Sequence, residues 1–143
     1  MSSITWSARY VLPSISQAAE PAVHELLEHL REEHWSDHDI FSVHLSLEEA
    51  VTNAMEHGNR WDASKQVEIE LACSPHLLRM EIVDQGSGFD PTAVPDPREE
   101  ERLEVPRGRG LLIMRSYMTH MNYLDAGRRL VLEKHRVEEA DVA

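Results

Sequence analysis

The sequence predicts an α+β fold, on three observations. Segments of period-two alternation stand near the start and in the middle of the chain, short apolar runs stand near its end, and stretches with apolar residues at helical spacing separate them. Two neighbouring alternating segments are joined by a three-residue turn, too short for a crossover, which makes them an antiparallel hairpin.

The first strand is read from Ile4, Trp6, Ala8, Tyr10 and Leu12, which alternate with Thr5, Ser7, Arg9 and Val11 until Pro13 ends the run. Pro21 opens a helix whose Val23, Leu26, Leu27 and Leu30 recur at helical spacing up to about His34. Asp37 or Asp39 is expected to cap a second, longer helix with the stripe Ile40, Val43, Leu47, Val51 and Ala54, stopped by Gly58-Asn59. Val67, Ile69, Leu71 and Cys73 form one arm of the hairpin, Ser74-Pro75-His76 its turn, and Leu78, Met80 and Ile82 the inward face of the other arm.

From Phe89 to Arg107 the periodicity disappears. Pro91, Pro95, Pro97 and Pro106 bracket a charged run there, and a lid over a ligand is the expected role. Gly108-Arg109-Gly110 then leads into a third helix, with Met114, Tyr117, Met118 and Met121 as core filler. Tyr123-Leu124 and Leu130-Val131-Leu132 read as strands about the turn Asp125-Ala126-Gly127-Arg128. The whole is one domain over 1–137, with 138–143 a frayed tail.

Composition narrows the partners. With 41% hydrophobic and 28% charged residues, and no apolar run near the ~18 residues of a membrane span, neither a membrane anchor nor a signal peptide is expected. The single cysteine, Cys73, can form no internal disulfide, which suits a reduced, cytoplasmic setting. A net charge of -12 disfavours direct nucleic-acid binding and favours neutral or basic partners. His24, His29, His34 and His38 cluster near the first helix, but their spacing gives no compact zinc-ligand set.

The chemistry-bearing segment is Asp84-Gln-Gly-Ser-Gly-Phe-Asp90. Period two places Asp84 on the apolar face of its strand, where an unpaired charge would cost several kcal/mol, roughly, so a specific donor such as the amino group of a base is required. Gly86 and Gly88 let the backbone approach that ligand. Glu49 and Asn53, four residues apart, share a helix face turned about 200 to 240 degrees from Leu47. A carboxylate and a carboxamide stacked in this way suit phosphoryl transfer, the amide oxygen as a Mg²⁺ ligand and the carboxylate as a base. Gly108-Arg109-Gly110 at a helix start offers backbone N–H groups to phosphates, with Arg107 and Arg109 adding charge.

Taken in this order, the motifs resemble those of the GHKL-superfamily ATPases. The N box is Glu49-Ala-Val-Thr-Asn53-Ala54, the first glycine box Asp84-Gln-Gly86-Ser-Gly88-Phe89, and the second Gly108-Arg-Gly110-Leu111. Ser46-Leu-Glu-Glu49-Ala-Val-Thr-Asn53-Ala-Met-Glu56-His57-Gly58-Asn59 is most similar to the stand-alone anti-sigma-factor serine kinases of the RsbW type. The resemblance implies the Bergerat fold, a two-layer α/β sandwich with a mixed, mostly antiparallel sheet covered on one face by three helices.

It further implies ATP and Mg²⁺ as cofactors. Asn53 would hold the metal against the triphosphate, Asp84 would accept from the adenine amino group, and Gly86 and Gly88 would shape the adenine pocket. Gly108, Gly110 and Leu111 would bring the helix start to the phosphates, the γ-phosphate contact falling to Arg107 or Arg109. Glu49 would be the general base for a serine or threonine on a partner. Many members carry a threonine after a late glycine, where this chain has Gly127 followed by Arg128-Arg129-Leu130. The implied partners are a sigma factor and a STAS-domain anti-anti-sigma protein, with a homodimer as a further assembly. The alternatives are an ATP-dependent switch that grips a partner without phosphotransfer, and a detached histidine-kinase catalytic domain.

Overall fold

The computed structural model describes residues 3–88 and 106–137, and the side chains of these apart from residues 106–108. Five strands, β1 (Trp6–Pro13), β2 (Gln66–Cys73), β3 (Leu77–Val83), β4 (His120–Leu124) and β5 (Arg129–His135), form one sheet in the order β1-β2-β3-β5-β4. Every pairing among the described strands is antiparallel, including the expected hairpin, in which Leu71 faces Met80. Three helices, α1 (Glu20–Glu32), α2 (Asp37–Asn53) and α3 (Pro106–Tyr117), complete the two-layer α+β arrangement.

Alternation decides which face of the sheet the helices cover. Val67, Ile69, Leu71, Leu78, Met80 and Ile82 are all at most 2% exposed, and they meet Leu26, Leu30, Val43 and Leu47 of α1 and α2. Burying a large aliphatic side chain contributes about 1.5–3 kcal/mol, so this interlayer seam is the main source of stability. The other face of the sheet carries ion pairs. Arg9 lies 2.9 Å from Glu68, and Glu81 is held between Arg79 and Arg129, which cover it so well that it is only 8% exposed.

Several boundaries differ from the sequence-based expectations. Ser36, not Asp37 or Asp39, caps α2: its Oγ accepts from the Asp39 N–H at 3.0 Å. Asp39 is instead fully buried, accepting from the Val137 N–H at 3.1 Å and lying 3.8 Å from Lys134 Nζ. Met121 belongs to β4 rather than to the third helix, which ends at Tyr117. That helix begins at Pro106, so Gly108-Arg109-Gly110 forms its first turns instead of preceding it; proline at a helix start leaves no N–H unsatisfied. The lid expected from Phe89 onward lies, up to residue 105, outside the described residues, as does the tail 138–143.

The end of α2 is not an ordinary stop. Ala54–Gly58 continues as a π-helix, closed by the Asn59 N–H donating to the Ala54 carbonyl at 2.8 Å. Such wide turns are rare and gather at functional sites, because they re-aim the residues that follow.

Candidate functional site

The site is built where α2, its π-helical extension and the start of α3 meet the end of β3. Glu49 and Asn53 do share a face of α2, as their spacing requires, and that face is covered by α3 rather than by solvent. Gly110 packs directly on the pair: a methyl group there would lie 2.9 Å from Glu49 Oε2 and 3.0 Å from Asn53 Nδ2. A side chain there would have to displace the ends of Glu49 and Asn53, so the second glycine box packs closely against the N box.

The two polar side chains are held in unusual states. Glu49 is half-buried, and its carboxyl is pushed above the ordinary carboxylate range, first by burial and then by the neighbouring Glu48 charge, with Arg109 pulling it down. Asn53 is 7% exposed, and its Nδ2 has no hydrogen-bond partner among the described residues. A buried amide donor left unmade costs about 1–3 kcal/mol, which a ligand oxygen would recover. Leu111, the last residue of the second glycine box, is fully buried and anchors α3 on the core. Arg109 is exposed; the Arg107 side chain lies outside what the structure describes.

At the other end, Asp84 follows directly on β3, half-buried on the inward register that period two assigns it. Its N–H donates to the Arg128 carbonyl at 2.9 Å, and its Oδ1 accepts from the Gly86 N–H at 2.8 Å. Gly58, the last residue of the π-helix, abuts the carboxylate so closely that a methyl group would come within 2.5 Å of Oδ2. Gly86 in turn backs onto the Gly58 carbonyl. Gly88 has φ +84 and faces the Ala126 carbonyl, a conformation and an approach that both require glycine. Asn53 and Asp84 line one narrow cavity of about 10 Å³, room for about a single water, with Ala50, Ala54, Ile82 and Tyr123, closed by Gly127 and Arg128.

Asn59 is the positioning residue that sequence reasoning missed, having taken it for part of a helix stop. It is 1% exposed; its Nδ2 donates to Ser14 Oγ at 2.7 Å and to the Gln66 carbonyl at 3.0 Å, and its Oδ1 accepts from the Gln85 N–H at 2.7 Å. One amide thus ties the ends of β1 and β2 to the first glycine box. Arg128 is a second addition: its guanidinium donates to the Ser87 carbonyl at 3.3 Å, steadying that box from the side where many relatives are expected to carry threonine.

The sequence model of one family, described as the histidine kinase-like ATPase domain, matches residues 12–134. The chain belongs to that family. It is 28% identical over 119 residues to the serine/threonine-protein kinase BtrW of Bordetella bronchiseptica, covering 80% of this chain and 84% of that one. It is 27% identical over 101 residues to the anti-sigma F factor of Clostridium perfringens, covering 67% and 72%. Among solved structures, the RsbU and RsbW domains of Rv1364c from Mycobacterium tuberculosis share the fold, with a TM-score of 0.62 at 18% identity. That match covers 92% of this chain and 32% of the longer one. The GHKL assignment of the RsbW type and the α+β architecture are therefore borne out, and membership implies an ATP-binding domain.

Proposed function

We propose that this protein is an ATP-dependent serine/threonine protein kinase and anti-sigma factor, which binds a sigma factor and phosphorylates a STAS-type antagonist. The observation that carries the reading is the contact of Gly110 with both Glu49 and Asn53, because it sets a base and an amide beside the glycine-rich start of a helix. The relatives named as a serine/threonine kinase and an anti-sigma factor supply the partner classes.

In this reading Asp84 accepts from the exocyclic amino group of adenine, and the close packing of Gly58 on its carboxylate and of Gly86 on the Gly58 carbonyl holds that carboxylate in place. The triphosphate runs toward α3, where Gly108 and Gly110 keep the helix start bare and Arg107 or Arg109 meets the γ-phosphate. The donor set also fits magnesium, because Asn53 offers a hard carboxamide oxygen, while its Nδ2, without a partner among the described residues, is left to donate to a phosphate oxygen. Mg²⁺ held there would neutralise developing phosphate charge.

Glu49 supplies the base. A hydroxyl oxygen of the partner attacks the γ-phosphorus, its proton passes to the Glu49 carboxylate, and the bond to the β-phosphate oxygen breaks, leaving ADP and a phosphoserine or phosphothreonine. A carboxyl whose affinity for protons is raised by burial suits that role better than an ordinary one. Labelled ATP mixed with the protein and a candidate STAS partner tests the reading. Acid-stable phosphate on the partner's serine or threonine is expected, and binding without transfer would remove the kinase assignment.

A further inference from the structure

A second site lies on the flank of α2 turned toward α1, away from Glu49 and Asn53. A cavity of about 490 Å³ opens there, and none of the residues assigned above to nucleotide binding lines it. Its floor is apolar, made by Ala19, Val23 and Leu27 from the α1 side and Val51 and Met55 from the α2 side. Its polar rim carries Glu20, His24, His44, Glu48 and Thr52, and among the described residues lining it there is no lysine or arginine. Glu20 and Glu48 are the carboxylates among the described lining residues, Glu48 with one oxygen 2.8 Å from His44 Nε2, in a chain of net charge -12.

The mouth of the groove is backbone-strained and aromatic. Trp61 lines it with its side chain 46% exposed, and it follows Arg60 in the left-handed region, at φ 55 and φ 53. Gln17, on the opposite lip, has φ 69. Left-handed backbone at residues other than glycine persists only where its surroundings enforce it, and such residues gather at ligand clamps. Here the Trp61 N–H is tied to the Met55 carbonyl at 2.8 Å, so the indole is presented by the backbone of the π-helix rather than packed into the core. Exposed tryptophan beside an apolar trough is the side chain most enriched among residues that dominate protein interfaces.

We infer that the groove between α1 and α2 docks a protein partner through a short amphipathic helix whose apolar face fills the trough and whose basic residues meet Glu20 and Glu48. Helix-in-groove recognition needs an apolar channel flanked by polar rims, and charge complementarity selects a basic segment over an acidic one. The inference rests on the kinase reading only in supposing a protein partner. Because Val51 and Met55 belong to the same helical run as Asn53, a docked partner sits within a few residues of the nucleotide site.

The test is amide and indole NMR of the full chain, titrated with an 18-residue helical peptide bearing leucine at i, i+3, i+4 and i+7 and lysine elsewhere, and with its glutamate counterpart. Expected are shifts confined to the Trp61 indole and to the amides around Val23, Val51 and Met55, with binding of the lysine peptide at least tenfold tighter than that of the glutamate one. Trp61→Ala and Glu20→Lys should each weaken it at least fivefold while ATP affinity, measured separately by calorimetry, stays within twofold. Shifts centred on the ion-paired outer face of the sheet, equal affinity for both peptides, or indifference to Trp61→Ala would overturn the proposal. So would concentration-dependent shifts of the same signals without peptide, which would make a second copy the occupant. Loss of ATP binding in the parent chain would remove the kinase reading and leave the peptide result standing.

Discussion

Glu49, the proposed base, is the residue at which stability and the proposed chemistry pull apart. Its folded carboxyl binds protons more tightly than an ordinary one, because burial and Glu48 outweigh Arg109. A raised carboxyl is a liability once ionised: the cost is absent below the unfolded value near 4.5, develops as pH rises through the folded value, and persists at neutral pH. Glu49→Gln should therefore leave stability unchanged at pH 4 and raise it at pH 7, read as a shift in the urea midpoint. The same substitution, or Glu49→Ala, should keep nucleotide affinity and lower phosphotransfer by roughly 10²- to 10⁴-fold, since a positioned base contributes that much. In the parent protein transfer should fall as pH drops through the raised value; a rate that does not fall on acidification together with an active Glu49→Ala variant would assign the base elsewhere. Gly110→Ala makes a complementary probe, because its methyl would press on Glu49 Oε2 and Asn53 Nδ2 without touching the adenine end. Transfer should fall at least tenfold with the folded state intact, and unchanged turnover would show that this contact is not part of the active geometry.

At the level of elements, what was legible was whatever repeats. Period two gave β1, β2 and β3 their inward faces, and the hairpin β2–β3 pairs as the sequence reads, because Leu71, Met80 and Ile82 have nowhere else to be buried. The carboxylate that continues this period, Asp84, could be placed in the same way. What escaped was set by single contacts that no period records. Gly58 was read as a stop, yet it closes a π-helix and presents a bare α-carbon to Asp84. Asn59 was read with it, although its amide binds three separate segments, and the cap of α2 fell to Ser36 because the aspartates were needed elsewhere or left in solvent. Met121 fits helical and strand spacing alike, and pairing with Leu132 decides it. The weight of Asn59 can be measured. Asn59→Ala leaves Ser14 Oγ, the Gln66 carbonyl and the Gln85 N–H without their partner, and should destabilise the protein by about 3 kcal/mol in urea unfolding. A loss below about 1 kcal/mol would show that water replaces it and that the first glycine box is positioned by other means.

Across the whole molecule the proposed nucleotide site is a seam between parts distant in sequence. Asn53 and Asp84 share a cavity with Tyr123 of β4 and with Gly127 and Arg128 of the β4–β5 turn, while Gly110 of α3 closes over α2. The same turn holds the first glycine box through Arg128 and Ser87, and it is itself strained, with Asp125 at φ 52 and Ala126 at φ 56. A ligand that bridges such a seam stabilises the folded chain as a unit, by an amount that depends only on its concentration and affinity: about 2.7 kcal/mol at a hundred times the Kd. For a chain of 143 residues that corresponds to a rise of roughly 8 °C in Tm. ATP with Mg²⁺ should produce this rise, and ATP without the metal less of it. Asp84→Asn should abolish most of it by replacing an acceptor with a group that also donates, whereas Glu49→Ala should preserve it. The pairing of these two variants separates recognition from catalysis: if both lose the shift, the two ends of the site are not independent, and if neither does, the nucleotide is held somewhere other than the cavity that Asn53 and Asp84 share.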